Sequence, residues 1–136
     1  SPPEGYLDQY RRVDLVLDPF PHSGGLTTCD ALWLGVPVVT LPGETFASRQ
    51  SLSLLTALGL TETIAANADD YVNRAVRLAQ DPARLAHLRA TLRARMATSP
   101  LCTGAAFAAH LAVVLRAAWR PWAMQTESKS GNRKAN

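Results

Sequence analysis

Apolar and polar positions change period several times along the chain, and each change predicts an element. Val13, Leu15 and Leu17 alternate with Asp14, Val16 and Asp18 in a run that is mostly apolar on both sides. That predicts an interior parallel strand, which Pro19 and Pro21 end. Tyr6 to Arg12 mixes spaced apolar and polar positions and predicts a short helix leading into it. Leu26 to Leu34 predicts a helix stopped by Gly35 and Pro37, and Val36 to Leu41 a second strand closed by Pro42-Gly43. Two strands joined through one helix run parallel and right-handed if they share a sheet, so their C-terminal loops open on one edge. In open α/β sheets ligands bind at that edge.

Downstream the three-to-four spacing dominates. Arg49 to Leu58 predicts a helix with Leu52, Leu55 and Leu58 inward, and Glu62 to Ala65 a short strand. Asn67 is placed to cap a helix over Asp69 to Gln80, with Val72, Ala75, Val76 and Ala79 on its apolar face. Asp81-Pro82 opens a further helix with Leu85, Leu88 and Leu92 as its core stripe. Ser99-Pro100 breaks the pattern. Thr103 to Trp119 predicts a last amphipathic helix, with Phe107, Leu111, Val114 and Leu115 buried and Pro121 as its end. The polar, small-residue stretch beyond it is expected to be disordered.

The first loop carries candidate chemistry. Ser23, Gly24 and Gly25 precede the helix that begins with Leu26, Thr27, Thr28, Cys29 and Asp30. The first N–H groups of a helix lack internal partners and carry the positive end of its dipole. Two glycines remove the Cβ atoms that would hold a ligand off the backbone, and Thr27 or Thr28 adds a hydroxyl, so the turn can close on a phosphate or diphosphate. A tight turn whose threonines merely cap the helix satisfies the same residues.

Composition narrows the classes. A chain of 136 residues, 47% apolar, makes one domain or part of one. No basic start followed by an apolar block opens it, and no run reaches the roughly 18 to 20 uncharged apolar residues of a membrane span, so no membrane partner and a cytoplasmic location are expected. The net charge of +3 comes largely from Arg84, Arg89, Arg93 and Arg95 on helical patterns and from Lys129, Arg133 and Lys134. No aromatics interleave with them, so solvated faces are expected and no nucleic acid. Cys29 and Cys102 form neither a disulfide framework nor a metal spacing. Cys29 lies where a helix N-terminus can lower a thiol pKa, but with no adjacent base it reads as a packing residue.

Two blocks, LDPFPHSGGLTTCDALWLGVPVVTLPGETFASR and NADDYVNRAVRLAQD, make the chain resemble the C-terminal part of the SPINDLY-like O-linked N-acetylglucosamine transferases, over Tyr6 to Trp119. The resemblance implies an α/β fold, the Rossmann-like C-terminal half of a GT-B glycosyltransferase, with parallel strands, helices and a helical C-terminal end. Residues 1–122 would form part of the UDP-sugar-binding domain and 123–136 a disordered tail. It implies transfer of N-acetylglucosamine from UDP-GlcNAc to protein Ser/Thr hydroxyls, with a UDP-sugar and a protein acceptor as partners. The donor would be the substrate and no further cofactor or metal is implied, in keeping with the lack of a DxD motif. Family members often carry tetratricopeptide repeats upstream.

Position by position, Thr27 matches a diphosphate-binding threonine of the family, and Gly25-Leu26-Thr27 stands where many members have His-Thr-Thr. The departure removes an imidazole and a hydroxyl, leaving Thr28 or the backbone donors of Ser23, Gly24 and Gly25 to carry more. Asp30 matches the acid that accepts from the ribose hydroxyls. Tyr6 stands where a His often lies against uracil, and Gln9 where an Arg often flanks the base. Glu44 and Arg49 lie at the open edge, where they contact the donor or hold the loop; a structural role is favoured for Arg49. The acceptor surface, the proton acceptors and a phosphate-facing lysine belong to an N-terminal catalytic half that this chain does not match, so no catalytic residue is assigned here. His87 and His110 fall on helices, and His22 lies nearer the site. Two other readings stand beside this one: a non-catalytic remnant that binds nucleotide or a protein partner, and a GT-B-shaped sugar-nucleotide epimerase.

Overall fold

The centre of the fold is an apolar strand with no exposed face. Val38 and Val39 form β2 (Val38–Val39) and both are fully buried, with Val36 and Pro37 buried just ahead of them. Burial on both faces is the condition of a strand covered by helices. The computed structural model describes residues 5–131, with side chains through residue 123. β1 (Val16–Leu17) pairs with β2 in parallel, Val16 opposite Val38 and Leu17 opposite Val39. Beyond the ladder, Thr40 makes a parallel bridge to Ile64.

The sheet among the described residues is therefore two strands, shorter than the pattern predicts, and a full Rossmann sheet is not present in them. The interior strand is β2 rather than β1, since Leu17 is exposed. A run with a paired neighbour on one side keeps ladder geometry only where both chains remain extended. The predicted strand over Glu62 to Ala65 is a 3₁₀ turn, Thr61–Thr63, followed by the single bridge at Ile64.

The helices follow their signals closely. A 3₁₀ segment spans Leu7–Arg12. α1 (Leu26–Trp33) ends at Gly35, whose φ of +83° favours glycine and where a Cβ would lie 2.6 Å from the Arg89 carbonyl oxygen. α2 (Gln50–Ala57) ends likewise at Gly59. α3 (Ala68–Ala79) is capped by Asn67, whose side chain accepts from Asp70 N–H. α4 (Pro82–Ala97) is capped by Asp81, which accepts from Arg84 N–H. Leu88 and Leu92 of α4 are fully buried with Leu85 packed beside them, and Met96 extends the stripe. On α3 the packed face is Tyr71, Ala75 and Leu78, one residue round from the predicted one, so that Val72 and Val76 are exposed.

The described residues fall into two units, divided after Cys102. The second consists of α5 (Gly104–Gly131). Pro121 lies inside this helix instead of ending it: proline removes one i→i−4 bond, and neighbours such as Ala117, Ala118 and Ala123 favour helix on either side. Residues 123–131 of the expected tail are helical, and 132–136 lie outside the described residues. Phe107, Leu111, Val114 and Leu115, expected to be buried, are exposed.

Candidate functional site

At the C-terminal edge of the strands a buried carboxylate organises the loops. Asp18 follows β1 directly and is 2% exposed. Its Oδ1 accepts from Gly24 N–H at 2.7 Å and its Oδ2 from Thr40 Oγ1 at 2.6 Å, so one side chain ties the glycine turn to the end of β2. Tyr71 of α3 donates to the Asp18 carbonyl at 2.9 Å and stacks edge-on against Phe20. Burial, then the Asp18 charge, pushes the Tyr71 phenol up, so it stays a donor. Asp18 was not among the candidates from the sequence. The available signal was a carboxylate ending an apolar run, which must find partners when buried.

Hydroxyls complete the loop's attachment. Ser23, 2% exposed, donates through Oγ to Ala47 C=O and accepts from Gln50 N–H at 3.0 Å and Ser51 N–H at 3.4 Å. It therefore caps α2 from across the loop, and its own N–H is bonded to Ala47. Ser51 Oγ donates to Gly24 C=O, which leaves Thr28 Oγ1 to donate to Ser51 at 2.9 Å. Ser23 and Thr28 are thus turned inward. Gly24 is demanded by this packing, because a Cβ there would lie 2.6 Å from Thr28 Oγ1 and 2.8 Å from Thr27 Oγ1.

The start of α1 is left open. Its N-cap is Gly25, which offers no side-chain acceptor, and no acidic residue lies in the first turn. Among the described residues no protein acceptor receives the N–H groups of Gly25, Leu26, Thr27 or Thr28. α2, α3 and α4 each have a side-chain oxygen at that end, from Ser23, Asn67 and Asp81. Helical spacing then sorts the side chains of α1: Thr28, Ala31 and Leu32 face the core, while Thr27 and Asp30, three apart, share an outer face. An open N-terminus with an adjacent hydroxyl is suited to an anion, and a carboxylate one turn along to a vicinal diol.

Tyr10 of the Leu7–Arg12 segment meets that outer face, donating to Thr27 C=O at 3.3 Å. Tyr6 lies edge-on to it, with ring centroids 5.7 Å apart and hydroxyls 3.0 Å apart. Burial, the Tyr6 hydroxyl and the nearby Asp30 charge together push the Tyr10 phenol far above its ordinary range. The structure brings Tyr6, Thr27 and Asp30 to one side of α1. Gln9 is exposed on the same short segment.

On the other side, Leu26, Cys29, Phe46, Gln50 and Leu52 line a mostly apolar groove of about 1010 Å³. Gln50 Oε1 lies 2.6 Å from where a Gly25 Cβ would stand. Arg49 donates to Gly43 C=O at 2.9 Å, the loop-holding role, while Glu44 is exposed. Burial and the Asp30 charge push the Cys29 thiol up, away from the reactive thiolate. His22, His87 and His110 are exposed. No group of three or more metal-ligating side chains occurs among the described residues, and no helix of theirs is long and apolar enough to cross a membrane.

Parallel strands covered by helices, with a glycine turn opening on a helix N-terminus at their C-terminal edge, are consistent with the GT-B-like glycosyltransferase class. The sequence profile of glycosyl transferase family 41 matches residues 2–111, and the chain belongs to that family. It is 44% identical over 115 residues to a probable UDP-N-acetylglucosamine–peptide N-acetylglucosaminyltransferase SPINDLY of Petunia hybrida, a match that covers 85% of this chain and 12% of the relative. A UDP-N-acetylglucosamine–peptide N-acetylglucosaminyltransferase of Caenorhabditis elegans is 41% identical over 87 residues, 64% of this chain and 8% of that protein. The solved structure of a mutant O-GlcNAc transferase from Thermobaculum terrenum is similar with a TM-score of 0.80 at 38% identity, over 88% of this chain and 23% of that one. The chain thus spans about an eighth of the length of the plant relative and under a quarter of the solved chain.

Proposed function

We propose that the chain is the donor-nucleotide part of a glycosyltransferase that moves N-acetylglucosamine from UDP-GlcNAc to Ser/Thr hydroxyls of proteins. The observation that carries this reading is the open N-terminus of α1, flanked by Gly24 and Gly25 and sharing a face with Thr27 and Asp30. The N–H groups of Gly25 to Thr28 and the Thr27 hydroxyl hold the diphosphate, and Asp30 accepts from the ribose hydroxyls. Tyr6 and Gln9 flank the base. Ser23 and Thr28 act indirectly, by fixing the turn.

In the transfer, an acceptor oxygen forms its bond to the sugar C1 as the bond from C1 to the diphosphate oxygen breaks. The electron pair leaves with UDP, and the acceptor proton passes to a base on the portion of the enzyme that this chain does not match. Charge accumulates on the departing diphosphate, where dipole and N–H donors stabilise it more than in the ground state. The chain's part is therefore leaving-group stabilisation.

Titration calorimetry tests this. The chain binds UDP with a Kd on the order of 0.1–1 mM. Asp30→Ala and Thr27→Ala each weaken binding by about tenfold or more, the scale of a hydrogen bond to a charged group. Absence of UDP binding by the folded chain overturns the reading.

A further inference from the structure

We propose that Tyr10 is a positioning residue of this site, one that sets the nucleoside-facing segment Leu7–Arg12 in register with the first turn of α1. The inference rests on the donor reading above and adds to it a residue outside the expected set.

The geometry is a relay of two phenols. Tyr10 has one hydroxyl proton, and it goes to Thr27 C=O, so the 3.0 Å contact between the phenols is a donation from Tyr6 to Tyr10. The order is Tyr6 to Tyr10 to the backbone of Thr27. Among the described residues this is the one hydrogen bond that joins Leu7–Arg12 to α1. Arg11 and Asp8 pair with each other, and the other backbone bonds of the segment are local.

Packing makes the relay directional. Tyr10 and Tyr6 are both half-buried, but only Tyr10 packs against the core cluster, and Gln9 is exposed. Tyr10 is thus the anchored member, and Tyr6 is held through it by an edge-on ring contact at 89° and one hydrogen bond. Thr27 and Asp30 stand on the face that Tyr10 touches, three residues apart on the same helix. Loss of the Tyr10 hydroxyl leaves the ring packed on the core but frees Tyr6 and Gln9 to shift in register, while leaving the N–H groups at the start of α1 where they are. The consequence falls on recognition of the nucleoside and spares recognition of the diphosphate.

Tyr10→Phe keeps the ring and its packing and removes both hydrogen bonds. Tyr6→Phe keeps the outer ring and removes only the donation to Tyr10, at a half-buried position where folding is least at risk. Calorimetry on the whole chain, with UDP and with inorganic pyrophosphate as separate probes, is run beside thermal unfolding. Tyr10→Phe weakens UDP binding about 3- to 10-fold. Tyr6→Phe weakens it less, and both leave pyrophosphate affinity at the wild-type value. If both variants lower the melting temperature yet bind UDP as the wild type does, or lose UDP and pyrophosphate in equal proportion, the relay is structural and the inference is overturned. If the wild-type chain binds pyrophosphate but gains nothing from uridine, the inference fails while the anion site stands. Failure to bind either probe overturns the donor reading itself.

Discussion

Asp18 shows what a single buried side chain contributes at this edge. Its two oxygens receive the Gly24 N–H and the Thr40 hydroxyl, and its carbonyl receives Tyr71. Removing it strands the buried Thr40 hydroxyl and the part-buried Gly24 N–H, and an unmade bond costs more than a made bond returns. Asp18→Ala is expected to lower the unfolding free energy by about 2–3 kcal/mol. Asp18→Asn should cost about 1 kcal/mol, because its amide oxygen can face Gly24 while the Thr40 hydroxyl turns to accept from its NH₂. Urea unfolding of the two variants measures the difference, and equal losses would show that hydrogen bonding is not what the carboxylate contributes.

At the scale of elements, the N-terminus of α3 is a local electrostatic device. The Ala66 N–H and then the Arg74 guanidinium, 2.7 Å away, hold the Asp70 carboxyl below its usual range. A carboxylate whose pKa is depressed by folding stabilises the fold at neutral pH and loses that contribution as pH falls through the lowered value. Melting temperatures of wild type and Asp70→Asn should therefore differ most above about pH 4 and converge below it; a constant gap across that range would contradict the assignment. Much at this scale was legible in the sequence. The glycines at 35 and 59, the Asn67 cap and the Asp81-Pro82 start marked helix limits to within a residue or two, because those signals act locally. The inward face of α3 was not, since Val72 and Val76 form an apolar stripe as good as Tyr71, Ala75 and Leu78. The choice between them is made by tertiary contacts of Tyr71 with Asp18 and Phe20. Tyr10 and Asp18 escaped for the same reason: their partners lie 17 and 22 residues away. The loop and Asp30 stood out as candidates because turn, helix start and acid are contiguous.

For the molecule as a whole, every buried side chain among the described residues lies at or before Ser99. The core of the first unit is built from α1 to α4 and the strand pair. A chain ending at Cys102 retains all of these buried side chains and should unfold in one cooperative transition. Circular dichroism on the shortened chain decides it, and a broad, non-cooperative melt would show that the first unit does not fold by itself. The proposed donor site would lie wholly within the first unit, which holds Tyr6, Thr27 and Asp30 with all the residues that fix the turn.

The hydroxyls of Ser23, Ser51 and Thr28 bind the glycine turn to the starts of two helices, and Asp18 binds it to the strands. Such a turn can open only by uncapping α2 and exposing buried hydroxyls, so on the proposed reading it is already in its final shape when an anion arrives. Association then has no slow rearrangement to wait for. Its rate is set by diffusion and by the field at the helix start, and differences in affinity among anionic ligands fall on how long each one stays.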